Sequence, residues 1–199
     1  MPPGDASATR DDAVRHQLLF LLRERPMGRR TLAKATGLTE MTVRMAVESM
    51  RVDGLVRATR AGICLERIAG SMRREAPPVL SISELSLQMV GSLPCCIAAH
   101  LRSATPPSAW RLRDLAVAQG AAVLLSLVYD HGGWAFSNDL EPVQQRNRDD
   151  AVSLQCTFPS ATVGDAVVCV GGTDRGDVGC ALWAVLLASA AEGSSRASR

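Results

Sequence analysis

Arginine is the residue type in this sequence whose number and placement most clearly suggest chemistry. Residues 1–77 hold 14 basic and 9 acidic residues, whereas residues 78–199 hold 8 basic and 11 acidic residues. A guanidinium group is permanently charged, and its planar fork binds a phosphate or a guanine edge through two hydrogen bonds. The charge difference therefore predicts that the first part of the chain meets a polyanion. A chance difference in composition is the alternative.

A glycine-rich segment late in the chain is the second candidate. Its residues are Gly171, Gly172, Thr173, Asp174 and Arg175, between an apolar run and a predicted helix. Backbone N–H groups at the start of a helix can hold an anion or a small polar effector. The segment is neither a Walker A loop nor GxGxxG. A structural turn, capped by Asp174 or by Asp177, is the simpler interpretation.

The remaining side chains that could bind a metal or act in catalysis form no recognised pattern. The six cysteines include no CxxC pair, and Cys95-Cys96 with His100 is one ligand short of the usual zinc set. His131 follows Asp130 in a predicted turn, where a histidine is usually solvated. We therefore expect no metal, no cofactor and no catalytic residue, so that the protein is not an enzyme.

Residues 12–69 are predicted to form a first domain rich in helices. Asp11 or Asp12 can cap a first helix that ends before Pro26, and a short helix spans 29–36. After Gly37, Thr39 is predicted to cap a longer helix that reaches about Val52. Two short strands around Arg60-Ala61-Gly62 then predict a hairpin.

The segment Arg30-Thr31-Leu32-Ala33-Lys34-Ala35-Thr36-Gly37-Leu38-Thr39-Glu40-Met41-Thr42-Val43-Arg44 resembles the helix-turn-helix of bacterial and archaeal winged-helix transcription regulators. Ala33 is small enough for two helices to approach closely, and Gly37 permits the positive φ of the turn. Leu38 and Val43 can fill the space between the helices. The resemblance covers about residues 12–67.

The resemblance implies that the second helix of this motif enters the major groove of double-stranded DNA. Arg44 would then contact a guanine, while residues at the start of the preceding helix and on the hairpin would contact phosphates. The DNA-binding residues implied in this way are Arg29, Arg30, Thr31, Thr39, Glu40, Met41, Thr42, Arg44, Met45, Arg57 and Arg60.

Residues 70–78 are predicted to be a linker, and residues 79–191 a second domain. This domain is predicted to be α+β, with a mostly antiparallel sheet and two principal helices, and it weakly resembles the C-terminal half of uncharacterised archaeal winged-helix proteins. The predicted strands are Val79–Leu87, Leu93–Leu101, Ala121–Tyr129, Trp134–Phe136, Val152–Phe158 and Ala166–Val170, and the predicted helices are Trp110–Gln119 and Val178–Ala191.

These patterns together predict a transcriptional regulator that binds double-stranded DNA as a homodimer. The last helix is apolar almost all round, so that either the core of the chain or a partner subunit covers it, and the second domain can sense a small-molecule effector. No signal peptide or membrane span is expected, which favours a cytoplasmic protein. One alternative is an enzyme with an accessory winged helix, similar in layout to archaeal CTP-dependent riboflavin kinases. Another is a protein-interaction module, which Glu40 and Glu48 on the reading face favour.

Overall fold

The computed structural model describes residues 9–66, 78–102 and 109–197, with side chains for residues 9–66, 78–102 and 111–190. The end of the predicted first domain, 67–69, and nearly all of the predicted linker lie outside the described residues. None of the described helices combines the length and the hydropathy needed to cross a bilayer.

The N-terminal part consists of three helices followed by a two-stranded antiparallel hairpin. These elements are α1 (Arg10–Leu21), α2 (Arg29–Thr36), α3 (Glu40–Val52), β1 (Val56–Thr59) and β2 (Gly62–Leu65). The order is the one that the sequence predicts. The cap of α1 differs, because Thr9 rather than Asp11 or Asp12 is the N-cap, and Asp12 completes a capping box with it.

The second part is built on a five-stranded sheet in which all neighbouring strands are antiparallel. The strands are β3 (Val79–Glu84), β4 (Cys95–Leu101), β5 (Val123–Asp130), β6 (Gly133–Phe136) and β7 (Ala166–Gly172), in the order β3-β4-β7-β5-β6. The helices of this part are α4 (Ala109–Ala118), α5 (Val143–Arg146), α6 (Arg148–Thr157) and α7 (Arg175–Ala197). The α+β class is therefore confirmed.

The two faces of the sheet are covered by different helices. Val168 and Val170 of β7 pack in one buried cluster with Leu182 of α7, and this cluster continues into the first three helices. Val167 and Cys169 point to the opposite face and join Leu154 of α6 and Phe158 in a second cluster. The alternation follows from the strand period of two residues.

The predicted strand Val152–Phe158 is wrong, because residues 148–157 form α6. Asn147 caps this helix through its side chain, and Asp149 and Asp150 lie in the first turn. Leu154 and Phe158 are buried at helical spacing, whereas Val152 and Cys156 are exposed. The alternating apolar residues resemble a strand because a short helix and a short strand can share such a pattern.

Helix α7 is covered within the chain along its apolar part. It begins at Arg175, before the predicted start at Val178, and runs to Ala197, beyond the predicted end at Ala191. The side chains from Val178 to Leu186 are buried against α1, α4, β4 and β7. Of the two predicted ways to cover this helix, by the core or by a partner subunit, the first therefore suffices to explain its composition.

Candidate nucleic-acid interface

The turn between α2 and α3 has the geometry that the sequence predicts. Gly37 ends α2 with a φ of 76°, a left-handed conformation that other residues rarely adopt. Ala33, Leu38 and Val43 are buried between the helices. Thr39 caps α3, and its Oγ1 accepts a hydrogen bond from the Thr42 backbone N–H at 3.1 Å. The start of α3 is thereby fixed relative to α2.

Eight residues of α3 are exposed, and five of them are here called the α3 surface: Glu40, Met41, Arg44, Met45 and Glu48. Met41 and Met45 are 63% and 64% exposed, which is unusual for large apolar side chains. The predicted contact residue Thr42 is half-buried instead, and its hydroxyl lies 2.9 Å from that of Thr39. This pairing makes Thr39 and Thr42 primarily a helix cap.

Arginines from α2 and α3 converge around Glu48. The pKa of this carboxyl group is lowered, first by the hydrogen bond from Arg51 and then by the positive charges of Arg51, Arg44 and Arg29. The contact between Arg51 and Glu48 spans 2.7 Å. The start of α2 and the α3 surface thus lie close enough for Arg29 and Arg44 to act on the same carboxyl group, and their contacts with DNA stay a prediction.

Two further predicted DNA-contacting arginines lie beside a carboxylate. Arg30 Nε lies 3.4 Å from Glu40, and Arg57 Nε lies 3.4 Å from Glu66. Arg29, Arg44 and Arg60 form no ion pair with another residue of the described ranges. These exposed pairs are weak and separate readily when a phosphate approaches. Thr31, the remaining predicted contact on α2, is exposed in its first turn.

The hairpin β1–β2 is attached to the helices by backbone hydrogen bonds. Met27 donates to the Ile63 carbonyl at 3.0 Å, and Ile63 donates to the Met27 carbonyl at 2.9 Å. Arg60 is exposed at the hairpin turn, which Thr59 closes with a bond to the Gly62 carbonyl. The Met27 bridge was not anticipated, because a single paired residue leaves no periodic pattern in a sequence.

The predicted glycine-rich effector segment is shorter than expected. Gly171 and Gly172 are not loop residues, because they complete the buried strand β7. Asp174 accepts a hydrogen bond from the Asp177 N–H at 2.9 Å and thereby caps α7. Arg175 is held 2.6 Å from Glu84. A carboxylate already occupies the start of the helix, as the simpler interpretation predicts, and effector binding by this segment stays a prediction.

The cysteines and histidines are spread over several surroundings. Buried His100 contacts the equally buried Asp165 at 3.2 Å, and the Cys96 and Cys169 sulfur atoms are 2.9 Å apart in the core. His131 is exposed in the β5–β6 turn. Within the described ranges, no group of three or more His, Cys, Asp or Glu side chains has the geometry to hold a metal ion.

The side of the three-helix unit opposite the α3 surface is packed against α7. Phe20 of α1 lies 5.5 Å from Trp183 between ring centroids, and Arg10 pairs with Asp177 at 2.6 Å. A Cβ atom on Gly37 would lie only 2.8 Å from the Cβ of Arg175. This α1–α7 interface was not anticipated, because sequence spacing does not reveal which distant helices meet.

Comparison with known proteins gives a fold relationship only. No protein-family model matches the chain, and no curated protein sequence is similar to it. Among solved structures, the hypothetical protein PH0730 from Pyrococcus horikoshii OT3 is similar, with a TM-score of 0.66. The sequences are 18% identical, and the match covers 90% of each chain.

Proposed function

We propose that the chain is a transcriptional regulator that binds double-stranded DNA through α3. In this proposal α3 lies in the major groove, Arg44 reads a base edge, and Arg29 and Arg30 contact the backbone phosphates. The hairpin carries Arg57 and Arg60 to the phosphates beside the groove. A homodimer would match a two-fold symmetric operator, and the second part of the chain would provide the remaining contacts.

One observation carries the proposal: α3 is held by the glycine turn that follows α2, yet its outer side is left uncovered by the other residues that the structure describes. The buried side chains of Val43, Val47 and Met50 attach the helix to the core. The opposite side presents Arg44, whose charge acts on Glu48 together with the charges of Arg29 and Arg51. A helix of this diameter fits the major groove.

The test is a fluorescence-anisotropy titration of labelled duplexes from around the protein's own gene, at two salt concentrations. We expect one duplex to bind more tightly than the others, with an affinity that falls steeply as salt rises. Arg44→Ala should weaken binding to that duplex by about 5- to 100-fold, since a bidentate guanine contact contributes roughly 1–3 kcal/mol.

Arg148→Ala is the matched control, because Arg148 is an exposed arginine on α6, at the opposite face of the sheet. This variant should bind the duplex like the unmodified protein. Equal and weak binding of all duplexes by a folded protein would contradict the proposal. An equal loss in both arginine variants would show that net charge, rather than the α3 surface, determines binding.

A second candidate function, docking of a protein partner, is favoured by the apolar residues of α3. Met41, Met45 and Val52 are separated by four and seven residues, and Val52 is 79% exposed. Such a row is typical of a helix that enters an apolar groove. If docking is the function, Met45→Ser abolishes partner capture while Arg44→Ala leaves it intact. If DNA binding is the function, Arg44→Ala lowers the affinity for the duplex more than Met45→Ser does.

A further inference from the structure

A cavity lies between the three-helix unit and the second part of the chain. Its volume is about 330 Å³, and its walls come from α1, α2, the edge strand β3 and α7. Phe20, Ile82, Leu182 and Trp183 supply apolar surface. This size is at the lower end of the range for small-molecule sites, which lie mainly at such junctions between structural units.

One buried polar side chain borders this cavity without a complete set of hydrogen bonds. Gln17 of α1 is only 9% exposed, and its Oε1 atom accepts no hydrogen bond from the described residues. An unpaired buried amide oxygen costs free energy. Because this oxygen is closed to solvent, a ligand N–H or O–H recovers that cost once the Gln17 amide turns towards the cavity. Gly179 makes room for this side chain, because a Cβ there would lie 2.5 Å from the Gln17 amide nitrogen.

The edge strand β3 adds backbone groups to the same cavity. Strand β4 pairs with one side of β3, and no strand among the described residues pairs with the other side. Leu85 donates its N–H to the Cys96 carbonyl, so that the alternation of an antiparallel ladder turns the N–H and C=O groups of Ile82 and Glu84 away from β4. These groups lie along the cavity wall.

The charges at the cavity select the ligand class. Two carboxylates, Glu24 and Glu84, border it together with a single cation, Arg175. Arg175 already pairs with Glu84 at 2.6 Å, which leaves Glu24 as the uncompensated charge. A negative carboxylate beside aromatic rings favours a cation and disfavours an anion.

We propose that this cavity is a binding site for a small aromatic amine. Its ring would lie against Phe20 and Trp183, one N–H would donate to Gln17, and the ammonium group would face Glu24. The site differs from the glycine-rich segment that the sequence suggested, and shares only Arg175 with it. Its role as an effector site rests on the proposed function, because the ligand would bridge α1 of the DNA-binding unit to β3 and α7.

Tryptamine is a suitable probe, because it combines an indole ring with an ammonium group and fits the volume. We expect isothermal titration calorimetry of the full chain to give a Kd of about 1 mM or tighter. Indole-3-propionate, which replaces the ammonium group by a carboxylate, should bind at least roughly tenfold more weakly. Equal or tighter binding of the carboxylate, or no binding of tryptamine, overturns the proposal.

Two variants locate the binding in this cavity. Gln17→Leu replaces the amide by an apolar group with one heavy atom fewer, so that no buried polar atom is left unpaired and tryptamine binds roughly 3- to 10-fold more weakly. Gln155→Leu on exposed α6 is the matched control and should bind like the unmodified protein. Ala35→Leu fills part of the cavity and should reduce binding further. Unchanged binding in both cavity variants overturns the assignment.

The effector role has a separate readout. Saturating tryptamine should change the affinity of the preferred duplex at least about threefold, and the change should vanish in Gln17→Leu. An unchanged duplex affinity with tryptamine bound overturns the effector role. Tryptamine binding by a protein that binds none of the duplexes refutes the proposed function and leaves the amine site supported.

Discussion

The α3 surface and the α1 side that packs against α7 are two sides of the same three-helix unit, and they differ in what covers them. Met45 on the α3 surface is 64% exposed, whereas Trp183 at the interface is 3% exposed. Exposed apolar side chains contribute little to stability and remain available to a partner. The difference shows that one side of the unit is packed against α7, while the other side, which the proposed function uses, faces solvent.

This division has a consequence for how the two parts of the chain communicate. Helix α7 contacts α1 and the turn after α2, and it also covers one face of the sheet. A displacement of α7 would therefore act directly on the three-helix unit through these contacts. In the proposed effector role, a ligand beside Gln17 would act at this junction.

The largest effect on stability is expected from Trp183→Ala, at the covered side of the unit. Removal of this buried ring should lower the free energy of unfolding by about 3–5 kcal/mol, because a cavity remains beside Phe20. Met45→Ala on the α3 surface should change it by less than about 0.5 kcal/mol. Urea denaturation followed by circular dichroism measures both. Similar losses in the two variants would show that the α3 surface is covered in solution.

A smaller effect is expected at Gly37, in the turn between α2 and α3 that packs against α7. Gly37→Ala should lower the free energy of unfolding by about 2–4 kcal/mol. The added methyl group meets the α7 backbone, and alanine rarely adopts the positive φ of this position. Gly54→Ala is the matched control, since Gly54 has a φ of 69° and open space around it. Its cost should be about 1–2 kcal/mol. Equal costs in thermal and urea unfolding would refute close packing of the turn against α7.

The smallest effect is expected at Glu48. Its pKa is lowered in the folded protein, so that its favourable contribution to stability is present at neutral pH and is lost as the pH falls through the folded-state pKa. Glu48→Gln removes a negative charge from the α3 surface and should raise duplex affinity about two- to fivefold. Anisotropy at pH 7 measures this gain. A loss of affinity would show that the duplex does not bind at the α3 surface.

The sequence predicted the local parts of the candidate interface well. Gly37, Thr39 and the buried residues of α3 occupy the positions that their types require, because a left-handed turn, a helix cap and an apolar helix face depend on neighbours within a few residues. Prediction was less successful for Val152–Phe158, where a short run fits two periods. The DNA contact of Thr42 stays a prediction, and the sequence did not indicate that its hydroxyl lies 2.9 Å from that of the cap residue Thr39.

By itself the sequence determined the α+β class, the helix-turn-helix turn and the arginine-rich start of the chain, because each depends on composition or on local spacing. The tertiary structure alone decided that α7 is buried by its own chain and that Gly176 and Gly179 lie against the three-helix unit. It also decided that Gln17 meets β3 and Trp183 around one cavity. These contacts join residues more than sixty positions apart, and their formation depends on packing of whole surfaces that no local pattern records.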